Sequence, residues 1–410
     1  PMDRVLVPFD DGQGDLGPLS DLRASFEQRS GGLSVLERCR LLGAVQGVVV
    51  PDAHAELASE RAGVPANVGI DGAVLVNGRL HAGARWIAEH VLEVPEGGVL
   101  RSAEGGIVAA RLSGAALESL VSAIRAGADP VPVLAGLPGR VLGDAHLWSR
   151  PWHLLHDRRF TDAIHGDASV VVAGWGTVVA PAAGTMVGSG AVHVHPTARL
   201  GIGVVFDTTA GDVVVGPAAE VRHGAVIHGP AFIGERCIVA ERTLIKPRSA
   251  FGPQCRIAGE VGSVIFQAFA NKAHDGHLGD ALLGEWVNLG AGTVNSNLLN
   301  TYGEVAMRLR PESGLERTGR QFMGCIVGDH AKLAIGTRIM TGSSIGTGVM
   351  WAAASAISGA VARFAWVTDD GERRFILRKF MDVAHTVMAR RGTQPGPACA
   401  SRLAALHGEG

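Results

Sequence analysis

Residues 215–262 read "VGPAAEVRHGAVIHGPAFIGERCIVAERTLIKPRSAFGPQCRIAGEVG". Val215, Val221, Ile227, Ile233, Val239, Ile245, Phe251 and Ile257 recur at every sixth position, and the fifth member of each hexad is small or compact: Ala219, Ala225, Ala231, Cys237, Thr243, Ser249, Cys255 and Val261. A period of six is neither the period of a helix nor that of an alternating strand. It suits a coil of three short flat strands, each sending one large side chain inward. Such a coil is a left-handed parallel β-helix of hexapeptide repeats, in which every inward residue stacks on its counterpart one turn later, at roughly 4.8 Å. Left-handed crossovers oppose the usual preference, and the hexads override it. Each buried aliphatic side chain contributes about 1.5–3 kcal/mol, so a long ladder holds the fold without a thick core.

The rhythm returns at Val327, Leu333, Ile339, Ile345, Trp351 and Ile357, with Ala331, Thr337, Ser343, Val349 and Ser355 in the small position. This second run is offset from the first, as an insertion between them requires. Cys237 and Cys255 share the small position one turn apart, which predicts stacked, buried, reduced thiols.

Composition narrows the function classes. The chain has 410 residues, 47% of them hydrophobic, enough for two or three buried cores. A net charge of −2 supplies no field for nucleic acid or anionic lipid, so the expected partners are small molecules and protein chains. Gly supplies 57 residues, about twice ordinary usage, in keeping with many tight turns. Five cysteines without metal-like spacing, and no recognisable leader, predict neither a zinc site nor disulfides, and a cytoplasmic location. The uncharged stretch 168–192, "ASVVVAGWGTVVAPAAGTMVGSGAV", carries five glycines and a proline, which suits short strands and turns better than a membrane-spanning helix.

Residues 1–155 show no hexads. "RVLVPFD", "GVVVPDAH" and "GAVLVNGRL" read as buried strands, and 33–43, 83–92 and 115–127 have helical apolar spacing, so this part is an α/β domain. "WSRPWHLLHDRRFTDAIHGD" (148–167) reads as a connector to a β-helical domain spanning 156–368. In 369–410, Leu377, Phe380, Met381, Ala384, Val387 and Met388 lie along one helical face, and the last fifteen residues form a loose tail or a short docking helix.

Between the two hexad runs lies "NKAHDGHLGDALLGEWVNLGAGTVNSNLLN" (271–300), with two histidines, two aspartates and five asparagines. Leu283, Leu289 and Asn295 keep the spacing of six, and only "VIFQAFANKAHDGH" breaks it, delivering Lys272 and His274 to the coil edge. Leu278, Gly279, Asp280, Ala281, Gly284, Val287, Asn288, Gly290, Ala291, Gly292, Thr293 and Asn297 match, without a gap, the LGDAxIGxxVNIGAGTxxxN signature. The chain therefore resembles the bifunctional N-acetylglucosamine-1-phosphate uridyltransferase/glucosamine-1-phosphate acetyltransferase family, over roughly residues 160–365. The resemblance implies a homotrimer that transfers an acyl group from acetyl-CoA to a sugar or sugar phosphate. It implies His274 as general base, with Asp275 or a backbone carbonyl setting its tautomer. An imidazole with a pKa near 6.5 accepts a proton at neutral pH. The resemblance further implies Asn288 and Asn297 on the sugar side, Lys246 gripping a phosphate, and Ala291, Thr337 and Ala353 along the CoA arm. Departures fall at His277 and Leu298, where the family has tyrosines, and at Val264, where it has a second basic residue, for which Lys272 is the replacement.

The first domain resembles sugar nucleotidyltransferases fused to this β-helix, through "PFDD" (8–11), "RASFEQRSGGLSVLER" (23–38), "VNGRL" (76–80) and "RPWHLLHDRRFTDAIHGD" (150–167). An active enzyme of that kind needs a glycine-rich loop with basic residues for the triphosphate. Here "DDGQGDLGPLSDLR" places aspartates there, so the domain is degenerate. Asp10 and Asp11 either bind Mg²⁺ or cap a turn, and Arg23, Arg29 and Arg79 are the anion candidates. Two further readings stand beside acyl transfer: nucleotidyl transfer by the first domain, and a non-catalytic sugar-nucleotide-binding scaffold.

Overall fold

The computed structural model describes residues 4–68, 72–176 and 185–409. The chain forms two compact units, one of Pro1–Asp15 with Leu22–Ala173 and one of Leu16–Asp21 with Gly174–Gly410.

The first unit is α/β. Strands β1 (Val5–Phe9), β2 (Ala44–Val45), β3 (Val74–Asn77), β4 (Gly98–Ser102), β5 (Ile107–Arg111) and β6 (Gly139–Leu142) form one sheet in the order β2-β1-β3-β5-β4-β6. β1 runs parallel to β2 and β3, while β5 is antiparallel to β3 and β4. The predicted strand at 47–50 supplies only isolated bridges, from Val49 to Phe9 and from Val48 to Ala66. β1 and β3 are apolar runs buried on both faces because helices cover the sheet on either side. Those helices are α1 (Val35–Leu42), α2 (Ala55–Ala62), α3 (Ala84–His90) and α4 (Gly114–Arg125), followed by α5 (Pro151–Leu154) and α6 (Asp157–Ala173). Ser34 and Glu37 cap α1 reciprocally, each accepting a bond from the other's backbone N–H, at 3.2 Å and 2.7 Å.

The expected boundary at 155 moves to 173, because the supposed connector is a helix of this unit. From α6, Asp167 takes the Arg38 guanidinium at 2.8 and 2.9 Å and accepts the backbone N–H groups of Leu33 and Ala84 at 2.9 and 2.8 Å. Both partners of that ion pair are fully buried. The strands expected in 168–192 are likewise absent up to residue 173, where α6 continues, and 177–184 lie outside the described residues. No described helix is long and apolar enough to cross a membrane.

The second unit is a left-handed parallel β-helix. Three ladders run along its interior: Val194, Val215, Ile233, Phe251, Phe266, Leu283, Val327 and Ile345 on the first face; Phe206, Ile227, Ile245, Val261 and Leu278 on the second; Leu200, Val221, Val239 and Ile257 on the third. Every hexad residue expected inside is buried, as are Cys237 and Cys255. Among the small positions Ser355 is exposed, because no further coil stacks beyond it on the second face. The corners turn through left-handed residues such as Arg236 (φ +55°), Arg242 (φ +59°) and Arg248 (φ +60°).

The break in the hexads is a contraction. Val261 stacks on Ile245 after 16 residues, Phe266 on Phe251 after 15, and Lys272 on Ile257 after 15. Strands Glu260–Phe266 and His277–Leu283 consequently run unbroken round a corner. The next coil instead carries an insertion: Leu283 pairs with Val327 and Asn295 with Ile339, each 44 residues on. The excess leaves the coil as a loop containing a short hairpin, Ala306–Met307 with Glu316–Arg317. Past the last coil, Gly371–Arg374 pairs antiparallel with Ala365–Thr368, so the predicted helix begins only at α7 (Leu377–Ala389). Phe380, Ala384 and Met388 are its buried positions, and the tail forms α8 (Pro397–Gly408).

Candidate functional site

His274 stands exposed on the corner between the third and second faces, in the turn from Asn271–Lys272 to His277–Leu283. The turn is held from the coils on both sides. Gly292 N–H donates to Asp275 O at 3.1 Å, tying it to the corner of the next coil. From below, Lys272 Nζ donates to His274 O and lies 3.5 Å from Ala258 O. Among the described residues the His274 imidazole has no hydrogen-bond partner, and neither Asp275 nor a described carbonyl sets its tautomer.

Lys272 is not at the coil edge. Its register between Ile257 and Asn288–Leu289 puts it on the interior ladder of the third face, fully buried. Burial pushes its ammonium down to about 8, against the attraction of Asp275. It is therefore no substitute for the absent second basic residue. The position matched by Val264 is also interior, between Ser249 and Ala281.

Lys246 lies on the outer side of the second face, where it makes an ion pair with Glu260, whose other neighbour is His277 Nδ1 at 3.3 Å. The hydrogen bond from Lys246 holds the Glu260 carboxyl below its ordinary range. The lysine is thus already neutralised by a carboxylate. Asn297 sits beside this group, donating from Nδ2 to Asp280 Oδ2 at 2.8 Å. Burial raises the Asp280 carboxyl, while Asn297, Ser263, Arg320 and Arg248 oppose that shift. Gly279 makes the approach possible: a Cβ there would lie 2.7 Å from Asn297 Nδ2 and 2.8 Å from His277 Nε2. The structure thus gathers Lys246, Glu260, His277, Asp280 and Asn297 into one polar cluster. Glu260 and Arg320 carried no sequence signal, the latter because it arrives from the inserted loop.

Asn288 is elsewhere. It faces outward on the third face, 3.4 Å from Asn271 Nδ2, in a cavity under α7. Of the residues expected along the CoA arm, Ala291 is exposed at the corner above Asp275 and Ala353 is half-buried. Thr337 is buried, its hydroxyl donating to Ala334 O at 2.7 Å, because the small position of each hexad points into the corner.

In the first unit the two aspartates are engaged by protein. Asp11 takes Arg79 Nε and Nη2, each at 2.7 Å, and Asn77 Nδ2 at 2.8 Å. Asp10 accepts the backbone N–H groups of Gly12 and Ser25. This is the turn-capping alternative. With both carboxylates bound by donors, the pair does not fit Mg²⁺, and no cluster of metal-ligating side chains occurs among the described residues. Arg29 is bound to Gly32 O and Glu37, and Arg23 is buried. Three of the anion candidates are therefore structural arginines or lie inside the core.

Fold and signature together define a hexapeptide-repeat β-helix with a histidine-bearing corner. No protein-family model matches the chain. Among curated proteins it is similar to an uncharacterised acetyltransferase, YaiX, of Escherichia coli (strain K12), with 30% identity over 144 residues, 35% of this chain and 62% of that protein. It is 28% identical to the bifunctional protein GlmU of Synechococcus sp. (strain JA-3-3Ab) over 170 residues, 41% of this chain and 23% of that protein. A bifunctional sugar-1-phosphate nucleotidylyltransferase/acetyltransferase of Sulfurisphaera tokodaii is 27% identical over 138 residues, 33% of this chain and 34% of that protein. The chain thus spans less than two thirds of the length of each of these relatives. The resemblance read from the signature agrees with these names.

Proposed function

We propose that the chain transfers an acyl group, acetyl in the simplest case, from an acyl-CoA to an amine or hydroxyl of a sugar or sugar phosphate. His274 acts as general base. Its imidazole takes the proton of the acceptor as nitrogen or oxygen attacks the thioester carbonyl. The C–S bond then breaks and the departing thiolate recovers that proton. A backbone N–H of the adjacent coil stabilises the oxyanion. Asn297, with Asp280 and His277 beside it, orients the acceptor, and the corner carrying exposed Ala291 and half-buried Ala353 leaves room for the CoA arm.

One observation carries the reading. The signature is ungapped, and the turn before it presents, on a buried lysine anchor, an imidazole that has no hydrogen-bond partner among the described residues. Neutralisation of Lys246 by Glu260 favours an acceptor bound through hydroxyl or amine groups over one gripped by its phosphate. Nucleotidyl transfer by the first unit lacks support, since Asp11 and Arg79 satisfy each other.

The test is release of free CoA thiol from acetyl-CoA in the presence of a panel of amino sugars and sugar phosphates. His274→Ala is expected to lower the rate by about 10² to 10⁴. An unchanged rate in that variant sinks the assignment. Absence of any acetyl-CoA-induced rise in melting temperature favours the scaffold reading instead.

A further inference from the structure

The outer side of the third face and helix α7 enclose a cavity of about 840 Å³. Its lining brings together Arg256, Lys332, Arg390 and Arg391, with the amides of Asn271 and Asn288. No aspartate or glutamate lines it. Among the described residues, none of the four cations makes an ion pair. Arg391 Nη2 donates to Asn271 Oδ1 at 3.0 Å, and Asn271 passes a bond on to Asn288. Lys332 Nζ donates to two carbonyls, Trp286 O at 2.5 Å and His330 O at 3.0 Å. Among the described residues the Arg256 side chain has no hydrogen-bond partner.

Like charges in a part-buried pocket repel, and each loses hydration, so the arrangement is costly until something negative enters. Burial drives the Lys332 ammonium down to about 7, against the attraction of Asp329, and burial together with Arg256 lowers Arg391. In the wall, Trp286 stacks on Phe269 at 4.1 Å, with the His330 ring near-parallel to it at 6.3 Å.

We propose that this cavity is a binding site for a phosphate group, carried by a phosphorylated small molecule or present as free phosphate or pyrophosphate. Guanidinium groups of Arg256 and Arg391 bind its oxygens, Arg390 adds charge, and the asparagine amides complete the shell. The site lies on a different face from the Lys246–Asn297 cluster and does not rest on the acyltransfer reading.

Isothermal titration of the intact chain with inorganic phosphate, pyrophosphate and glucose 1-phosphate, at matched ionic strength, tests it and separates the sources. At least one ligand is expected to bind saturably at one site per chain. Arg256→Gln and Arg391→Gln should each weaken it about tenfold or more, and His274→Ala should leave it unchanged. Should Arg391→Gln fail to fold through loss of its Asn271 bond, Arg256→Gln carries the test alone. Absence of saturable binding for all three ligands, or binding that survives Arg256→Gln, overturns the proposal. So does dissociation of an oligomer by Arg256→Gln in light scattering without any phosphate binding, which would make the cavity a contact between copies.

Discussion

At the scale of single residues, Lys272 shows how a charged side chain is used inside an apolar ladder. Its aliphatic stem fills the place of an isoleucine or leucine between Ile257 and Leu289, while the ammonium reaches the carbonyl of His274. Lys272→Met should keep the ladder filled and the fold intact while loosening the turn, so acyl transfer falls and the melting temperature at pH 7 does not. The pH dependence is signed. Burial lowers the folded-state values to about 8 for Lys272 and about 7 for Lys332, below the ordinary 10.5. Above those values the unfolded chain holds more protons than the folded one, so stability rises with pH. Between pH 7 and 9 the wild type is expected to gain stability in denaturant titrations, and Lys272→Met to show a shallower rise. A flat profile in the wild type contradicts the buried-lysine picture.

At the scale of elements, the coil interrupted by the insertion has to satisfy backbone groups that a neighbouring strand would otherwise satisfy. Asn295 does so: Oδ1 accepts Gly279 N–H and Nδ2 donates to Gly279 O, both at 2.8 Å. Its amide imitates one rung of a sheet, which explains a polar residue in an inward position of the hexad. Asn295→Ala leaves both Gly279 groups buried and unpaired and should cost about 1–3 kcal/mol by chemical denaturation. Asn295→Leu restores apolar character without the rung and is expected to lose stability as well; a gain would refute the strand-surrogate role. Helix α6 follows the same logic. It lies in the first unit because Asp167 satisfies a buried arginine and two backbone donors at once.

At the scale of the whole molecule, the resemblance implies a homotrimer, in which a second copy of the chain would wall the exposed coil edge that carries His274. Light scattering should return a mass about three times that of the chain; a monomer that still turns over acetyl-CoA would count against this assembly. Much of the architecture was legible beforehand. Every aliphatic residue of the two hexad runs is inside, and the helices near 33–43, 83–92 and 115–127 occur as α1, α3 and α4. A strict period is readable because each coil repeats one steric requirement, a large residue inward and a small one at the corner. Contraction to 15 and 16 residues removes that signal at Lys272, which the spacing puts at the edge and the register puts inside. The sequence by itself determined the β-helix, the α/β domain before it and the histidine-bearing signature. Only the tertiary structure decided that Asp11 is spent on Arg79, that Glu260 neutralises Lys246, and that Asn288 and Asn297 face different ways. Pairings between residues far apart in the chain depend on which coil stacks on which, and no local pattern encodes them.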